Sequence, residues 1–258
     1  MKENFMHTIN RIKLLGLSLF VCGLACNAEE QSGSFAEKLT KLSIKPTVAV
    51  SFADKKLEST GTAAVTLQPV KGEPAFVAGP ANDNALVISD QDTGVTGLNI
   101  SGAGICSAAE GSFVCFFTPL AAYEDKQDKR HYFFSENRSE GGIYCFIMGS
   151  TRLALQFRDL DQSWPSYAFD YKWAKEGEQF EAGKWYHIAI TWNSTETKLF
   201  ANGIFKNKAP KSHKTAIDFK NIMLGAYGGQ SNLNGAITNV AFFDKCLSAE
   251  DIKVLSAK

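Results

Sequence analysis

Side chains in this chain's strand-like runs fall on two faces with a period of two, and the run "GKWYHIAITW" (183–192) carries apolar residues on both. In a strand, Trp185, His187, Ala189 and Thr191 share one face, and Tyr186, Ile188, Ile190 and Trp192 share the other. Both faces are largely apolar, which predicts a central strand covered above and below. The polar residues 193–197 then read as a loop and 198–201 as a returning strand. Asn202 and Gly203 supply the positive φ angles of a type I′ turn into Ile204 and Phe205. Further strand-like runs lie at 47–52, 84–90, 95–101, 111–120, 131–137, 142–149, 152–159, 220–227 and 235–244. Short strands at this spacing, with no internal repeat, predict a single all-β sandwich or barrel. Helix is predicted only at the margins: a short turn at 35–42, and a C-terminal helix. Ser248 is the N-cap of that second helix and Asp251 completes a capping box.

Charge narrows the function classes. The 258 residues carry 27 basic and 27 acidic side chains, and no basic stripe gathers the excess that a nucleic-acid partner requires. The N-terminus reads as a targeting segment. Lys2, Arg11 and Lys13 precede an apolar run at 14–25 that is shorter than the roughly 20 residues a membrane-spanning helix needs. Two readings stay open. In one, a signal peptide occupies 1–28, with Cys26 and Ala28 at the positions a signal peptidase reads. In the other, a lipoprotein signal ends at an acylated Cys26. Both predict export to the cell envelope or the medium, and no later run is long enough for a transmembrane helix. Residues 29–47 read as a linker and 48–256 as the domain. Export leaves Cys106, Cys115, Cys145 and Cys246, an even number that an oxidising compartment allows to pair in three ways. Their spacing fits neither a zinc ribbon nor a CxxC redox site.

The segments "GKWYHIAITW", "TKLFANG", "IMLGAY" and "LNGAITNVAFFDKCLSAEDIKVL" together resemble the laminin-G-like domains of the concanavalin A-like lectin and glucanase superfamily. "GSFVCFFTPL" and "HYFFSEN" resemble the equivalent part of pentraxins, which share that fold. The resemblance covers the chain from about Val48 to Leu255. It implies a two-sheet antiparallel jelly-roll sandwich with a short C-terminal helix. Two departures stand out: Thr238 occupies a position where the family usually has Asp, and the second pentraxin cysteine would fall at Ala189, leaving Cys115 without that partner. The fold also implies that the strand after Cys106 and the strand before Cys246 are antiparallel neighbours, from which a Cys106–Cys246 disulfide is expected.

Glycoside hydrolases of this fold use a carboxylate pair on one strand face, about 5–9.5 Å apart depending on mechanism. Glu176, Glu178 and Glu181 mimic the spacing but precede Gly183 in a segment that reads as a solvated loop. Asp159 and Asp161 lack a third acid. His131, His187 and His213 show no metal-binding spacing, and His187 reads as a packed, hydrogen-bonded structural residue. No catalytic residue is therefore named, and the chain reads as a non-enzymatic binding module for a glycan or polysaccharide. The loops at 161–173 and 225–235 offer Trp164, Tyr167, Tyr171 and Tyr227 for stacking on sugar rings, with a fixed turn at Pro165. The family resemblance implies calcium as a companion, with Asp90, Asp92 and Asn234 as oxygen donors. The alternatives are an envelope or adhesion module that binds a cell-surface protein and, behind it, a polysaccharide hydrolase or lyase of the same fold.

Overall fold

The computed structural model describes residues 33–81, 83–89, 94–123, 129–138, 141–149, 152–159, 171–172, 180–210, 217–228 and 233–258. The strands, in chain order, are β1 (Val48–Ser51), β2 (Glu58–Thr60), β3 (Thr66–Pro69), β4 (Phe76–Ala78), β5 (Asn84–Ile88), β6 (Leu98–Ser107), β7 (Gly111–Pro119), β8 (Arg130–Arg138), β9 (Gly141–Met148), β10 (Arg152–Arg158), β11 (Tyr171–Lys172), β12 (Tyr186–Trp192), β13 (Glu196–Ala201), β14 (Ile204–Pro210), β15 (Asp218–Leu224) and β16 (Gly235–Phe243). Two helices, α1 (Phe35–Thr40) and α2 (Ala249–Ser256), flank them. Among the described residues the strands form two antiparallel sheets. The nine-stranded sheet runs β14-β13-β12-β7-β16-β1-β2, with β5 also paired to β16 and β4 to β5. The seven-stranded sheet runs β11-β10-β9-β8-β15-β6-β3. This is the expected jelly-roll sandwich.

The predicted double cover of β12 is present, and each face has its own cause. Ile188, Ile190 and Trp192 point into the space between the sheets with Phe113, Cys115 and Phe117 of β7. The facing sheet meets them with Phe133 and Phe134; the Phe113–Phe134 and Phe117–Phe133 ring centroids lie 4.6 and 4.7 Å apart. Each such buried ring contributes roughly 1.5–3 kcal/mol relative to exposure. On the outer face, Val114, Ala189, Phe200, Ala241 and Phe243 are covered by Leu39 of α1 and by Ile252 and Leu255 of α2. The capping box of α2 forms as expected: Asp251 N–H donates to Ser248 Oγ at 3.0 Å, and Ser248 N–H to Asp251 Oδ2 at 3.2 Å. Part of the segment read as a linker carries α1, whose Lys38 ammonium donates to the Ala257 carbonyl at 2.6 Å and so ties the first helix to the end of the chain. The type I′ turn is also present, with φ of 49° at Asn202 and 75° at Gly203.

A β-bulge in β8 decides what faces outward. The register to β9 shifts between Tyr132 and Phe134, so Phe133 and Phe134 both enter the core. The alternation is thereby reset, and Tyr132 and Ser135 emerge on the same outer face.

The expected Cys106–Cys246 bridge is not formed: Cys106, Cys115, Cys145 and Cys246 are all free thiols. The strand-neighbour argument itself holds, since β7 pairs antiparallel with β16 and Ser112 faces Phe243. Cys106, however, lies before the β6–β7 connection, on the opposite sheet, paired to Phe219 of β15. Trp192 links the two regions instead. Its indole N–H donates to the Ser107 carbonyl at 2.8 Å, while the Cys246 thiol donates to the Trp192 carbonyl at 3.1 Å. Cys115 and Cys145 are buried in the core, where desolvation pushes both thiols well above the usual cysteine range.

Candidate functional site

The outer face of the seven-stranded sheet mixes polar and aromatic side chains where its inner face is apolar, and the register lines up one row of them. Gln68 of β3 pairs with Asn99 of β6, Asn99 with Met223 of β15, Met223 with Ser135 of β8, Ser135 with Tyr144 of β9, and Tyr144 with Gln156 of β10. These six side chains form one row across six strands, about 24 Å long at ~4.8 Å per strand. Each alternates with an inward neighbour such as Ile100, Ile222, Cys145 or Leu155. The row opens into a cleft of about 540 Å³ lined by Asn99, Ser135, Glu136, Asn221, Met223 and Tyr227.

Tyr227 is the aromatic wall of that cleft and is held from behind. Its ring stacks on Tyr132 (5.3 Å between centroids, 28° between planes) and meets Tyr144 edge-on at 5.5 Å. Tyr132 and Tyr144 are buried, with Phe146 and Ala154, in a small cluster on this face, so they support the wall while Tyr227 stays half-buried at the surface. Burial raises the phenol pKa of Tyr132, and pushes that of Tyr144 up further, so both hydroxyls stay protonated. The loop after β15 is fixed by Ser135, whose hydroxyl donates to the Ala226 carbonyl at 2.7 Å. Gly142 leaves the room Tyr144 needs, because a Cβ there would sit 2.5 Å from the Tyr144 hydroxyl.

The floor is positioned by a buried carboxylate. Glu136 Oε2 accepts the backbone N–H groups of Lys220 (2.9 Å) and Asn221 (3.0 Å). These amides sit where the β6–β15 register jumps between Phe219 and Asn221, and without an acceptor they would be left unpaired. Glu136 therefore holds the strand that presents Asn221, and its charge is spent on the backbone. Asp159, one member of the pair considered for hydrolysis, is buried just past β10, while Asp161, Glu176 and Glu178 lie outside the described residues. Glu181 is a surface residue paired with Lys184 at 3.1 Å.

Of the stacking residues expected from sequence, Tyr227 is the one whose side chain the structure describes. Tyr171 falls in β11 with only its backbone described, and Trp164 and Tyr167 lie outside the described residues. For calcium, Asp90 and Asp92 also lie outside them. Asn234 sits between Leu233 and β16 in the left-handed region, with φ of 49°, and its carbonyl accepts Leu120 N–H at 3.1 Å. One amide is a small part of the six to eight oxygens calcium takes. Among the described residues no group of three or more His, Cys, Asp or Glu gathers to hold a metal ion. Thr238, the departure from the family's Asp, donates to the Asn84 carbonyl at 2.8 Å, with the Asp83 carboxylate 3.4 Å away. Sequence reasoning missed Asn99, Ser135, Tyr144, Gln156 and Asn221. For Asn99, Tyr144 and Gln156 the available signal was their place between apolar neighbours in "LNI", "IYC" and "LQF"; Ser135 and Asn221 each have a charged neighbour and carry no such signal.

A sequence profile described as the concanavalin A-like lectin/glucanases superfamily matches residues 92–253. The chain belongs to this superfamily. Solved structures agree on the fold. The botulinum neurotoxin serotype G binding domain aligns with a TM-score of 0.66 and 14% identity, covering 82% of this chain and 50% of its own. The serotype D ligand binding domain, solved in complex with N-acetylneuraminic acid, aligns with a TM-score of 0.65 and 16% identity, covering 85% and 52%. The binding domain of Paraclostridial Mosquitocidal Protein 1 gives 0.63 and 14%, covering 82% and 51%. This superfamily member thus spans about half the length of those structures, and at such identities the likeness is one of fold. No curated protein matches the chain in sequence.

Proposed function

We propose that this chain is a non-catalytic carbohydrate-binding module whose ligand lies across the strands on the outer face of the seven-stranded sheet, against Tyr227. The observation that carries this reading is the row of amide and hydroxyl side chains, interrupted by Met223, that leads to a half-buried tyrosine held by two others. Sugars offer the matching chemistry: C–H faces for the ring, and hydroxyls for Asn99, Asn221 and Gln156. A rigid wall and floor lower the ordering cost of binding. The superfamily and the binding-domain neighbours support a binding role. The Glu136 carboxylate, already engaged by backbone amides, favours binding over hydrolysis.

Export of the domain, and calcium as an aid to binding through Asn234, Asp90 and Asp92, belong to the same proposal. An intact mass that begins near Glu29 or at a lipidated Cys26, and a glycan array with and without EDTA, test those parts. The central test is calorimetry of Asn221→Ala and Tyr227→Ala with glycans selected on the array. Loss of the aromatic wall should weaken binding by ~1–3 kcal/mol. Unchanged affinity in both variants, with the melting temperature preserved, overturns the assignment to this face. One observation favours the protein-binding alternative: edge strand β14 exposes Ile204 (61%) and Phe205 (49%). Lys206, Lys208 and Pro210 on the same strand, however, are the residue types that blunt edge pairing.

A further inference from the structure

The aromatic cluster behind Tyr227 is bordered by positive charge on both sides. On the outer face of β8, β9 and β10 the register stacks four rows. Arg130, Met148 and Arg152 form the first, and Tyr132, Phe146 and Ala154 the second. Ser135, Tyr144 and Gln156 form the third, and Gly142 with Arg158 the fourth. Arg130 lies over the Phe146 ring, 4.8 Å from its centroid, which fixes one guanidinium at the margin of the aromatic patch. Arg152 and Arg158 are half-buried at opposite ends of β10, six residues and so roughly 20 Å apart. Among the described side chains on this face of the three strands, three are arginines and none is an aspartate or glutamate. Glu136, the acid nearest by, pairs with inward-facing Ile143, and its carboxylate is held by the backbone of β15.

From this arrangement we infer that the glycan recognised on this face is acidic, carrying carboxylate or sulfate groups along its length, with Arg152 and Arg158 as the specificity-determining residues. The inference rests on the carbohydrate reading above and names its substrate class. Arginine is the side chain suited to it. Its planar fork matches a carboxylate or sulfate with two parallel hydrogen bonds, and its five donors leave some for a ligand even where an internal partner takes one or two. Gln156, half-buried between the two arginines, adds a polar side chain between the two anion positions. A neutral glycan would meet the same tyrosine and amides but would displace water from the guanidinium groups without replacing those bonds.

The test uses isothermal titration calorimetry on the full domain with three probes of equal length: a uronate oligosaccharide, its carboxyl-reduced neutral counterpart, and a sulfated oligosaccharide. At least one acidic probe should bind about tenfold tighter than the neutral one, the scale of one charge-assisted hydrogen bond, and weaken as salt rises. Arg152→Gln and Arg158→Gln should each remove most of that preference while leaving binding of the neutral probe unchanged, with a cooperative melting transition showing that each variant is folded. Neutral and acidic probes binding alike, with the arginine variants silent, overturn the inference and leave the carbohydrate reading standing. If no probe and no array glycan binds, both fall together.

Discussion

His187 is a buried base with nothing to bond, and that predicament sets an acid sensitivity that can be measured. The residue is 1% exposed on the outer face of β12, and its ring lies 4.9 Å from that of Phe116. Its backbone is fixed, since His187 N–H donates to Asn202 Oδ1 at 2.9 Å. Neither ring nitrogen has a partner, contrary to the expected hydrogen-bonded histidine. Desolvation, with the neighbouring Lys38 charge adding to it, lowers its pKa from 6.5 to about 3. The folded protein therefore refuses a proton that the unfolded chain accepts. This histidine costs no stability from its protonation above pH 6.5, and the cost accumulates as pH falls from 6.5 towards 3. At pH 5 the linkage penalty is about 2 kcal/mol, growing by up to ~1.4 kcal/mol for each further pH unit. His187→Leu removes the titration and the two unpaired nitrogens while keeping an apolar filler of similar volume. At pH 7.5 it should lie within about 1 kcal/mol of the wild type, because lost ring packing and the relieved polar burial offset each other. Urea unfolding of both proteins at half-unit steps from pH 7.5 to 4.5 measures the difference. The variant should become the more stable by about 2 kcal/mol at pH 5 relative to its position at pH 7.5. Parallel stability profiles would refute the reasoning, because acid loss from carboxylates is common to both proteins.

Two further outcomes follow from local geometry. Gly142→Ala places a methyl carbon 2.5 Å from the Tyr144 hydroxyl and 2.8 Å from the Glu136 carbonyl, so it should cost ~1–3 kcal/mol in a thermal melt and weaken glycan binding through the displaced ring. A melting temperature and affinity equal to wild type would mean Tyr144 does not brace the wall. Ser248→Ala removes the cap that holds Asp251 N–H and should cost about 1 kcal/mol in urea unfolding, with binding unaffected, since α2 lies on the opposite sheet.

Much of the fold was written into the sequence because its signals are local. The apolar two-faced run at 183–192, the Asn202–Gly203 turn and the Ser248–Asp251 box each depend on residues a few positions apart, and each forms as read. A family pattern is likewise a linear feature. What the tertiary structure decided depends on register and on which sheet a strand joins, neither of which is local. The bulge at Phe133 turns two successive phenylalanines inward, and so brings Tyr132 and Ser135 to one face against the simple alternation. Cys106 and Cys246 remain thiols because a strand change places one of them on the other sheet. His187 looked like an ordinary packed histidine, and only its surroundings reveal that its nitrogens are unmet. The row from Gln68 to Gln156 draws on six strands spread through the sequence from residue 68 to residue 223. Each member looks like an unremarkable polar residue in its own strand. Hydrogen bonding between distant strands, in one particular register, is what turns them into a surface.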